Sequence, residues 1–382
     1  MRIIETKTIY RDDLAYVSWP NLAELKDETI LCAFRHAPDR QNQPEYGCCV
    51  HLDPEAKDVC IRSYDGGYTF DQQLHTILDE EMVSNQDPCL KVLSDGRILS
   101  TSYRWLCVPA GKGAEVWGEE RFSRFGTTFF DDYDAFLGEV SCCYSDNNGI
   151  SWNLVPGISV PGALSGAAVR GNIVELPNGD LLMPYYITMD YDQLSTAALF
   201  RSVDRGETWQ PYSVIATDPK AQKNFYEPNI ILTKSGKLVA LMRTEVDPYD
   251  PNPPAECYDN YLNVHMAVSD DYGKTFGPVE EIKNFWGSNP IHALQLKSGK
   301  VLVTYGYRRE TYSVRARICN GELTDLGEVE ELVLRDDSPN NDLAYTSAIQ
   351  LENGDILVAY YFSQPDGIRT IELTRLREDN MQ

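Results

Sequence analysis

Ser202-Val-Asp204-Arg-Gly206-Glu-Thr208-Trp209 is one of four similar stretches in this chain of 382 residues. The other copies occupy residues 63–70, 145–152 and 269–276, and all share serine, aspartate or asparagine, glycine, a hydroxyl residue and an aromatic at the same spacing. Serine and aspartate side chains hydrogen-bond the backbone of turns, and glycine permits a positive φ. The aromatic is expected to pack between neighbouring sheets. Repetition of such a motif indicates a fold built from repeated β-units.

Six hairpin turns support the same prediction. They are Asp27-Glu28, Asp95-Gly96, Asn178-Gly179, Ser235-Gly236, Ser298-Gly299 and Asn353-Gly354. Short β-branched and aliphatic runs flank each turn, as is typical of strands, and successive turns lie about 55 to about 83 residues apart. The pattern predicts an all-β fold, a six-bladed β-propeller that forms a single domain over residues 1–382. Residues 105–140 are predicted to form a long rim or lid loop, and residues 247–254 a second, proline-rich loop.

Composition narrows the partners and the compartment. The formal net charge of −24 repels nucleic acid and anionic membranes, so neither is expected as a partner. No apolar run is long enough to span a membrane, and the first residues lack the features of a signal peptide. Ten cysteines without metal-binding spacing suggest buried, reduced thiols in a cytoplasmic protein with no metal and no cofactor. The oligomeric state stays open.

Residues at the open ends of the hairpins are expected to ring one face of the propeller. Paired across each hairpin, they are Pro20 with Arg35, Asp87 with Arg104, Arg170 with Tyr186, Glu227 with Arg243, His292 with Arg308, and Tyr345 with Tyr361. A packed core does not supply five arginines, two acids and several tyrosines. Their concentration against the overall negative charge predicts a functional site on this rim.

The four repeated motifs resemble the Asp boxes of the sialidase (neuraminidase) superfamily, and so does the order of rim residues. The segment 226–243 resembles the sialidase hairpin that carries a buried glutamate and one arginine of a carboxylate-binding triad. Arg308 falls where the next arginine of the family is expected, and Tyr345 falls where its nucleophilic tyrosine stands. The resemblance implies that Glu227 is the base for Tyr345 and that Asp39 is the general acid/base.

The first blade departs from this pattern. Sialidases begin that blade with Arg-Ile-Pro, whereas this chain has Ser18-Trp19-Pro20, so one arginine of the triad is missing. Arg35, which follows on the neighbouring strand, is one replacement for the lost charge. A pocket rebuilt for a different sugar is the other interpretation. Both stay open at the level of sequence.

Other residues carry weaker signals. His36 and His292 are candidate bases because imidazole titrates near neutral pH. Trp105 and Trp117 are expected either to stack on a sugar or to be buried beneath the lid. Asp146, Asp270 and Asp271 belong to the motif turns and are expected to be structural.

Together these features predict an exo-acting glycoside hydrolase that releases a terminal, carboxylate-bearing sugar from a glycan. Arg243 and Arg308, helped by Arg35 or Arg170, are expected to bind the carboxylate through bidentate contacts. Asp87, Arg104 and Tyr361 complete the predicted substrate-binding ring. Two alternatives remain. One is a uronate lyase or a rhamnosidase-like glycosidase that uses histidine and tyrosine, and the other is a propeller that binds carbohydrate without catalysis.

Overall fold

The computed structural model describes residues 1–41, 51–191, 193–246, 261–287 and 289–379. These residues form six antiparallel sheets arranged as blades, five with four strands and one with five. The prediction of an all-β, six-bladed β-propeller is therefore confirmed. In each blade the main strands follow one another from the innermost to the outermost position. The exceptions are one strand supplied by the N-terminus and one short strand in the second blade that pairs beside this series.

The first three complete blades follow the N-terminal strand β1 (Arg2–Arg11). Blade 1 comprises β2 (Ala15–Glu24), β3 (Ile30–Pro38), β4 (Lys57–Ser63) and β5 (His75–Leu78). Blade 2 comprises β6 (Val83–Val92), β7 (Ile98–Pro109), β8 (Gly126–Phe129), β9 (Tyr133–Ser145) and β10 (Asn153–Leu154), with helices α1 (Gly113–Trp117) and α2 (Glu119–Phe125) between β7 and β8. Blade 3 comprises β11 (Val174–Glu175), β12 (Leu181–Ile187), β13 (Thr196–Ser202) and β14 (Gln210–Ala216).

The remaining blades close the ring. Blade 4 comprises β15 (Lys223–Leu232), β16 (Leu238–Val246), β17 (Asn263–Ser269) and β18 (Glu280–Trp286). Blade 5 comprises β19 (His292–Gln295), β20 (Val301–Tyr307), β21 (Ser313–Cys319) and β22 (Leu332–Arg335). Blade 6 comprises β23 (Ala344–Gln350), β24 (Asp355–Ser363) and β25 (Arg369–Arg377), with β1 as its outer strand. The two ends of the chain are thus paired within one sheet, which holds the ring closed.

Each of the four copies of the repeated motif packs its glycine against the preceding blade. In blade 3 the backbone N–H of Gly206 donates to Ser202 Oγ at 2.9 Å, and the N–H of Thr208 donates to Asp204 Oδ1 at 2.9 Å. Gly206 has a φ of 85°, and a Cβ at this position would lie 2.9 Å from Leu99 Cδ1 in blade 2. Glycine is therefore required both by the turn and by the close contact between blades.

The segment predicted as a rim or lid loop has regular structure. Strands β7 and β9 extend beyond the blade, and α1, α2 and β8 fill the connection between them. The ring of Trp117 stacks on Phe122 and Phe136, with centroids 5.9 and 5.5 Å apart. Arg121 Nε donates to the carbonyl of Leu164 at 2.6 Å, which ties α2 to the chain entering blade 3. The proline-rich segment 247–254 lies outside the described residues.

Seven cysteines in the described ranges are free and buried: Cys32, Cys60, Cys89, Cys107, Cys142, Cys143 and Cys319. Burial raises the pKa of the Cys142 thiol to about 12, so it stays protonated at neutral pH. No helix in the described part of the chain is long and apolar enough to cross a membrane. Among the same residues, no group of three or more histidine, cysteine, aspartate or glutamate side chains is arranged to hold a metal ion.

Candidate active site

A repeated irregularity in the innermost strands builds the centre of the site. Strands β2, β6, β15 and β23 each contain a bulge at the same level, where the pairing with the next strand shifts. Trp19, Asp87, Glu227 and Tyr345 occupy these bulges with φ values of 56°, 54°, 46° and 49°. Positive φ is uncommon for residues other than glycine. The same local distortion thus recurs in four blades, and Asp87, Glu227 and Tyr345 are rim positions that sequence analysis singled out.

Glu227, Tyr345 and Arg243 form a buried hydrogen-bonded trio. The Tyr345 hydroxyl donates to Glu227 Oε1 at 2.7 Å, and Arg243 Nη1 donates to Glu227 Oε2 at 2.9 Å. Arg243 Nη1 also lies 3.3 Å from the Tyr345 oxygen, to which it donates. Glu227 is 4% exposed and Tyr345 is 7% exposed. The structure therefore brings together the three residues that the sialidase resemblance grouped, although they come from blades 4 and 6.

Two further groups hold Arg243 in place. Its Nη2 atom donates to the hydroxyl of Tyr261 at 3.1 Å and forms an ion pair with Glu245. The Arg243 guanidinium carbon lies 4.9 Å from the centre of the Tyr261 ring. Arg243 is thus balanced by two carboxylates and is oriented before any substrate binds.

The electrostatics of Tyr345 favour a neutral phenol that donates its proton. Burial raises its pKa well above the usual range, and the charge of Glu227 raises it further. Arg243 and Arg308 act in the opposite direction and lower it. The hydroxyl is therefore protonated at neutral pH and can become a nucleophile only as Glu227 accepts its proton.

Arg308 lies on the blade 5 and blade 6 side of Tyr345. Its guanidinium carbon is 5.8 Å from the Tyr345 ring centre, and Nη2 donates to the Tyr361 hydroxyl at 3.2 Å. Tyr361 in turn donates to Asp342 Oδ1 at 2.9 Å. Burial raises the pKa of Asp342, but His51, Arg369 and Arg308 outweigh this effect and hold the pKa below its usual range. A charged network therefore borders this side of the site.

Arg35 is fully buried and has an unusual environment. None of its three side-chain nitrogens donates a hydrogen bond to another described residue. Its guanidinium carbon lies 5.3 Å from the Trp19 ring and 5.6 Å from the Tyr16 ring. Asp58 pairs with Arg35 across β3 and β4, and burial raises the pKa of Asp58 to about 7. A buried cation without hydrogen-bond acceptors is costly, so this is a position where an anionic group of a ligand fits.

Arg170 and Asp87 are both buried, but they differ in how well their polar atoms are hydrogen-bonded. Arg170 donates from its terminal nitrogens to the carbonyls of Trp19, Pro20 and Tyr345 at 3.5, 3.3 and 3.1 Å. The main chain thus occupies both terminal nitrogens of this predicted ligand-binding arginine. Asp87 is 1% exposed, and its Oδ1 has no hydrogen-bond partner among the described residues. Burial raises the pKa of Asp87 well above its usual range, and the charge of Arg170 acts in the opposite direction.

In blade 2 the bulge places a different residue at the rim from the predicted one. Arg104 pairs with Asn85, and its guanidinium forms ion pairs with Glu80 at 3.0 Å and Glu139 at 3.1 Å. Tyr103 pairs with Gln86, next to Asp87, just as Arg243 pairs with the neighbour of Glu227. Tyr103 is therefore the structural counterpart of Arg243, and Arg104 points to the ion pairs beside it.

The structure does not join either predicted histidine to the trio. His292 pairs with Thr304 in the same way as Asn229 pairs with Leu241, so His292 is the blade 5 counterpart of Asn229. Asn229 follows Glu227 by two residues, and His292 therefore lies two residues beyond the level of Glu227. Its Nε2 lies 3.2 Å from the Ala348 carbonyl, and burial lowers its pKa to about 4. His36 contacts Asp12 at 3.2 Å, and burial lowers its pKa as well.

Asp39, the predicted proton donor, follows β3 at the edge of the described chain. Its Oδ1 accepts the backbone N–H of Gln41 at 2.9 Å, and its own N–H donates to the carbonyl of Leu14 at 2.9 Å. The side chain is 9% exposed. Asp39 is thus ordered on the turn after blade 1 strand β3, and its catalytic role stays a prediction.

Among the residues with weaker signals, Trp117 packs within the helical segment, and Trp105 lines a cavity beneath α2. Asp146 forms an ion pair with Arg97, and Asp271 accepts the backbone N–H of Thr275 within its motif turn. Asp270 lies in the same turn, 3.7 Å from the amine of Lys237.

Sequence reasoning missed several residues of the site: Trp19, Tyr103, Tyr16, Asp58, Tyr261 and Asp342. A constant separation of sixteen residues, which holds for Glu227 and Arg243, also links Trp19 with Arg35 and Asp87 with Tyr103. Applying it strictly would have found two of them. Asp342 lies in the connection before β23, where no periodic signal points to it.

Comparison with known proteins adds family and fold. The sequence profile of the BNR repeat-like domain family matches residues 131–358, which is more than half of the chain. The chain belongs to the BNR repeat-like domain family. A search of curated protein sequences gives no significant match.

Solved structures with a similar fold align with nearly the whole of this chain. A protein of unknown function from Dyadobacter fermentans is 30% identical, with 99% of each chain covered and a TM-score of 0.83. The GH93 α-L-arabinofuranosidase of Fusarium graminearum in complex with arabinobiose is 15% identical, with 98% of each chain covered and a TM-score of 0.65. The NanB sialidase of Streptococcus pneumoniae is 13% identical, with 97% of this chain and 70% of that chain covered and a TM-score of 0.62. The prediction of a BNR-repeat propeller with a sialidase-like fold is thereby confirmed, and the two distant neighbours show the shared fold.

Proposed function

We propose that this protein is an exo-acting glycoside hydrolase with Tyr345 as nucleophile and Glu227 as its base. The observation that carries the proposal is the buried trio in which Tyr345 donates to Glu227 at 2.7 Å and Arg243 donates to both. A tyrosine hydroxyl is a poor nucleophile until a neighbouring group accepts its proton. Sialidases, with which this chain shares its fold, are the tyrosine-using exception among glycoside hydrolases.

The proposed reaction has two displacements. The Tyr345 oxygen attacks the anomeric carbon while its proton passes to Glu227, and the bond from that carbon to the leaving oxygen breaks. A general acid protonates the leaving oxygen. Water then attacks the anomeric carbon and gives one proton to the acid residue. The bond between that carbon and the Tyr345 oxygen breaks, which releases the sugar, and Tyr345 regains its proton from Glu227. Two inversions retain the anomeric configuration.

The geometry supports a carboxylate-bearing terminal sugar. Arg243 is already balanced by Glu227 and Glu245, and Arg170 donates to main-chain carbonyls. Arg35 donates to no described residue, which leaves its fork for an incoming anion. We assign the substrate carboxylate to Arg35, with Arg308 beside the Tyr345 ring as a second cation. In this proposal Arg35 replaces the arginine that the first blade lacks.

Two carboxyl groups are candidates for the general acid. Asp39 has the role that the resemblance implies. Asp87 has an environment that favours an acid, because it is buried and burial raises the pKa of its carboxyl. Its electrostatic interactions with Glu227 and Arg170 indicate that it lies close to the trio. An acid variant loses activity on poor leaving groups but retains it on glycosyl fluorides, which need no protonation, so Asp39→Asn and Asp87→Asn can be separated.

The alternative reactions fit the geometry less well. A uronate lyase or rhamnosidase-like mechanism that relies on His36 or His292 requires one of them beside Tyr345, and their contacts are with Asp12 and the Ala348 carbonyl instead. A carbohydrate-binding protein without catalysis does not require a nucleophile–base pair held by an arginine. Absorbance from a new double bond would identify elimination, and binding without turnover would identify a lectin.

The test is a panel of methylumbelliferyl glycosides of N-acetylneuraminic, glucuronic and galacturonic acids, L-rhamnose and L-arabinofuranose. We expect turnover of an acidic member and loss of it in Tyr345→Phe. Tyr361→Phe is the matched control, because Tyr361 contacts Arg308 and Asp342 but not Glu227. A fluorinated sugar that traps the intermediate should label the peptide that contains Tyr345. Near wild-type turnover in Tyr345→Phe would remove the mechanism.

A further inference from the structure

A cavity of about 710 Å³ lies beside the trio, on the side of blades 2, 3 and 4. Its walls include Trp105 from β7, Tyr186 at the end of β12 and Tyr226 from β15, and Phe125 of α2 covers it. Cavities of this size accommodate small-molecule ligands larger than one sugar unit.

Helix α2, which borders the cavity, is held by contacts with blade 3. Arg121 of α2 donates to the carbonyl of Leu164 at 2.6 Å, which anchors the helix at the entrance to blade 3. At the end of α2, Phe125 lies 6.3 Å from the Tyr191 ring, and the Arg124 guanidinium carbon lies 5.5 Å from the same ring. The segment from blade 2 thus reaches blade 3 and roofs the cavity through contacts at both ends.

The lining has the chemistry of a sugar-binding site. Trp105, Phe125, Tyr186 and Tyr226 provide apolar ring faces, while hydroxyl and amide groups such as those of Ser195 and Asn224 provide hydrogen-bonding positions. None of the described residues that line the cavity is acidic, although the chain as a whole has a net charge of −24. Aromatic faces with a few placed polar groups suit a ligand that has both apolar and hydroxyl faces.

Two residues in the walls of the cavity adjoin the catalytic centre. Tyr226 directly precedes Glu227 and pairs with Arg243. Tyr186 contacts the Tyr226 ring edge-on at 5.2 Å, and the charge of Glu227 acts on the Tyr186 hydroxyl. We propose that this cavity is the leaving-group site and holds the neutral sugar to which the terminal sugar is attached, an assignment that rests on the proposed hydrolase function.

The two sides of the trio differ in a way that orients the substrate. Arg308, Arg35 and the network around Asp342 lie toward blades 5, 6 and 1, and they suit an anionic terminal sugar. The aromatic cavity lies on the opposite side, toward blades 2, 3 and 4. A substrate placed with its acidic end at the arginines and its neutral end beneath α2 has its glycosidic bond at Tyr345.

A binding experiment tests the cavity without requiring catalysis. Lactose, cellobiose and arabinobiose are added to the wild-type protein, and binding is measured by saturation-transfer NMR. We expect at least one of them to bind and Trp105→Ala and Phe125→Ala to weaken that binding by about tenfold or more. Trp105→Phe, which keeps an aromatic face, should restore it. Tyr64→Ala, at an aromatic residue that is 72% exposed on a motif turn, is the matched control.

Kinetics separate this proposal from the proposed function. For a terminal sugar that the wild type releases, Trp105→Ala should lower kcat/KM for a disaccharide by about tenfold or more, and change kcat/KM for the glycosyl fluoride by less than about twofold. If the wild type hydrolyses neither substrate, the hydrolase function fails, while the binding experiment still decides the cavity. Absence of binding by all three disaccharides, or equal behaviour of Trp105→Ala and Tyr64→Ala, overturns the assignment.

Discussion

Replacing Glu227 with glutamine tests the catalytic proposal at its centre. Glu227 Oε1 accepts the Tyr345 proton at 2.7 Å, and Oε2 accepts Arg243 at 2.9 Å. Glutamine has the same shape, but its amide cannot take the phenolic proton. Proton transfer by a positioned base contributes roughly 10²- to 10⁴-fold to a rate, which is about 3 to about 5 kcal/mol of activation free energy. We expect kcat/KM of Glu227→Gln to fall by that factor at neutral pH.

The pH dependence of this variant has a definite sign. Burial is the largest cause of the high pKa of Tyr345, and the charge of Glu227 is the next. Glu227→Gln removes the second cause, while Arg243 and Arg308 continue to lower the pKa. The phenol of the variant therefore ionises at a lower pH than that of the wild type, and its activity should rise as the phenolate forms. Phenolate absorbance, compared between Glu227→Gln and Glu227→Gln/Tyr345→Phe, measures the titration directly.

Glu245→Gln is the matched control for this experiment. Glu245 also pairs with Arg243, but the Tyr345 hydroxyl donates to Glu227 and not to Glu245. It should lower kcat/KM by less than about tenfold and leave the phenol titration in place. The reasoning is refuted if Glu227→Gln keeps activity within about threefold of the wild type, or if the pKa of Tyr345 rises in that variant.

Three more substitutions separate stability from activity. Arg35→Met should raise the melting temperature, because it removes a buried cation that has no hydrogen-bond acceptor among the described residues, and raise KM for an acidic substrate by about tenfold or more; a lower melting temperature with unchanged KM contradicts both assignments. Asp58 has a pKa of about 7 against an ordinary 3.8, so the folded state loses stability as pH rises between these values. Asp58→Asn should therefore unfold in denaturant with about 4 kcal/mol more stability than the wild type above pH 7 and with no gain below pH 4; a gain that does not vary with pH excludes titration as its cause. Gly206 has a φ of 85°, and the Cβ added in Gly206→Ala would lie 2.9 Å from Leu99 Cδ1. Gly179 has a similar φ of 88°, but the Cβ added in Gly179→Ala would have no atom within 4 Å. Both should be destabilised by about 1 kcal/mol of backbone strain, and Gly206→Ala by about 1 to about 3 kcal/mol more for the clash; equal melting temperatures would show that the contact between blades is relaxed.

The number of blades was predictable because its signals are local. A glycine turn or a motif such as 202–209 carries its own geometry, so each copy can be recognised in the sequence alone. The trio was predictable because Glu227, Arg243 and Tyr345 each stand at a hairpin end. The closure of the ring by β1 and the helices within residues 105–140 carried no such signal, since both depend on contacts between distant parts of the chain.

The residues that stand at the rim of each blade were only partly predictable from the sequence. A bulge adds a residue to one strand and changes which side chains face the axis beyond it. In blade 2 the bulge sets Tyr103, rather than Arg104, opposite the neighbour of Asp87. In blade 5 the pairing of β19 with β20 begins only at His292, two residues beyond the level of Glu227. The positions of bulges depend on packing at the axis rather than on local composition, so hairpin length alone places a rim residue only to within one or two positions.

The bulges also explain why the site forms where it does. Positive φ at a residue other than glycine costs about 1 to about 3 kcal/mol, and Trp19, Asp87, Glu227 and Tyr345 all accept this cost around one axis. The same region holds a buried Arg35 without acceptors and a carboxyl with a raised pKa. The motif turns, by contrast, are saturated with hydrogen bonds and lie at the other end of the strands. The unfavourable contributions to the free energy of folding thus lie at one end of the strands, and the stabilising hydrogen bonds lie at the other. This distribution is expected when a binding site is preorganised for a ligand that supplies the missing hydrogen-bond partners.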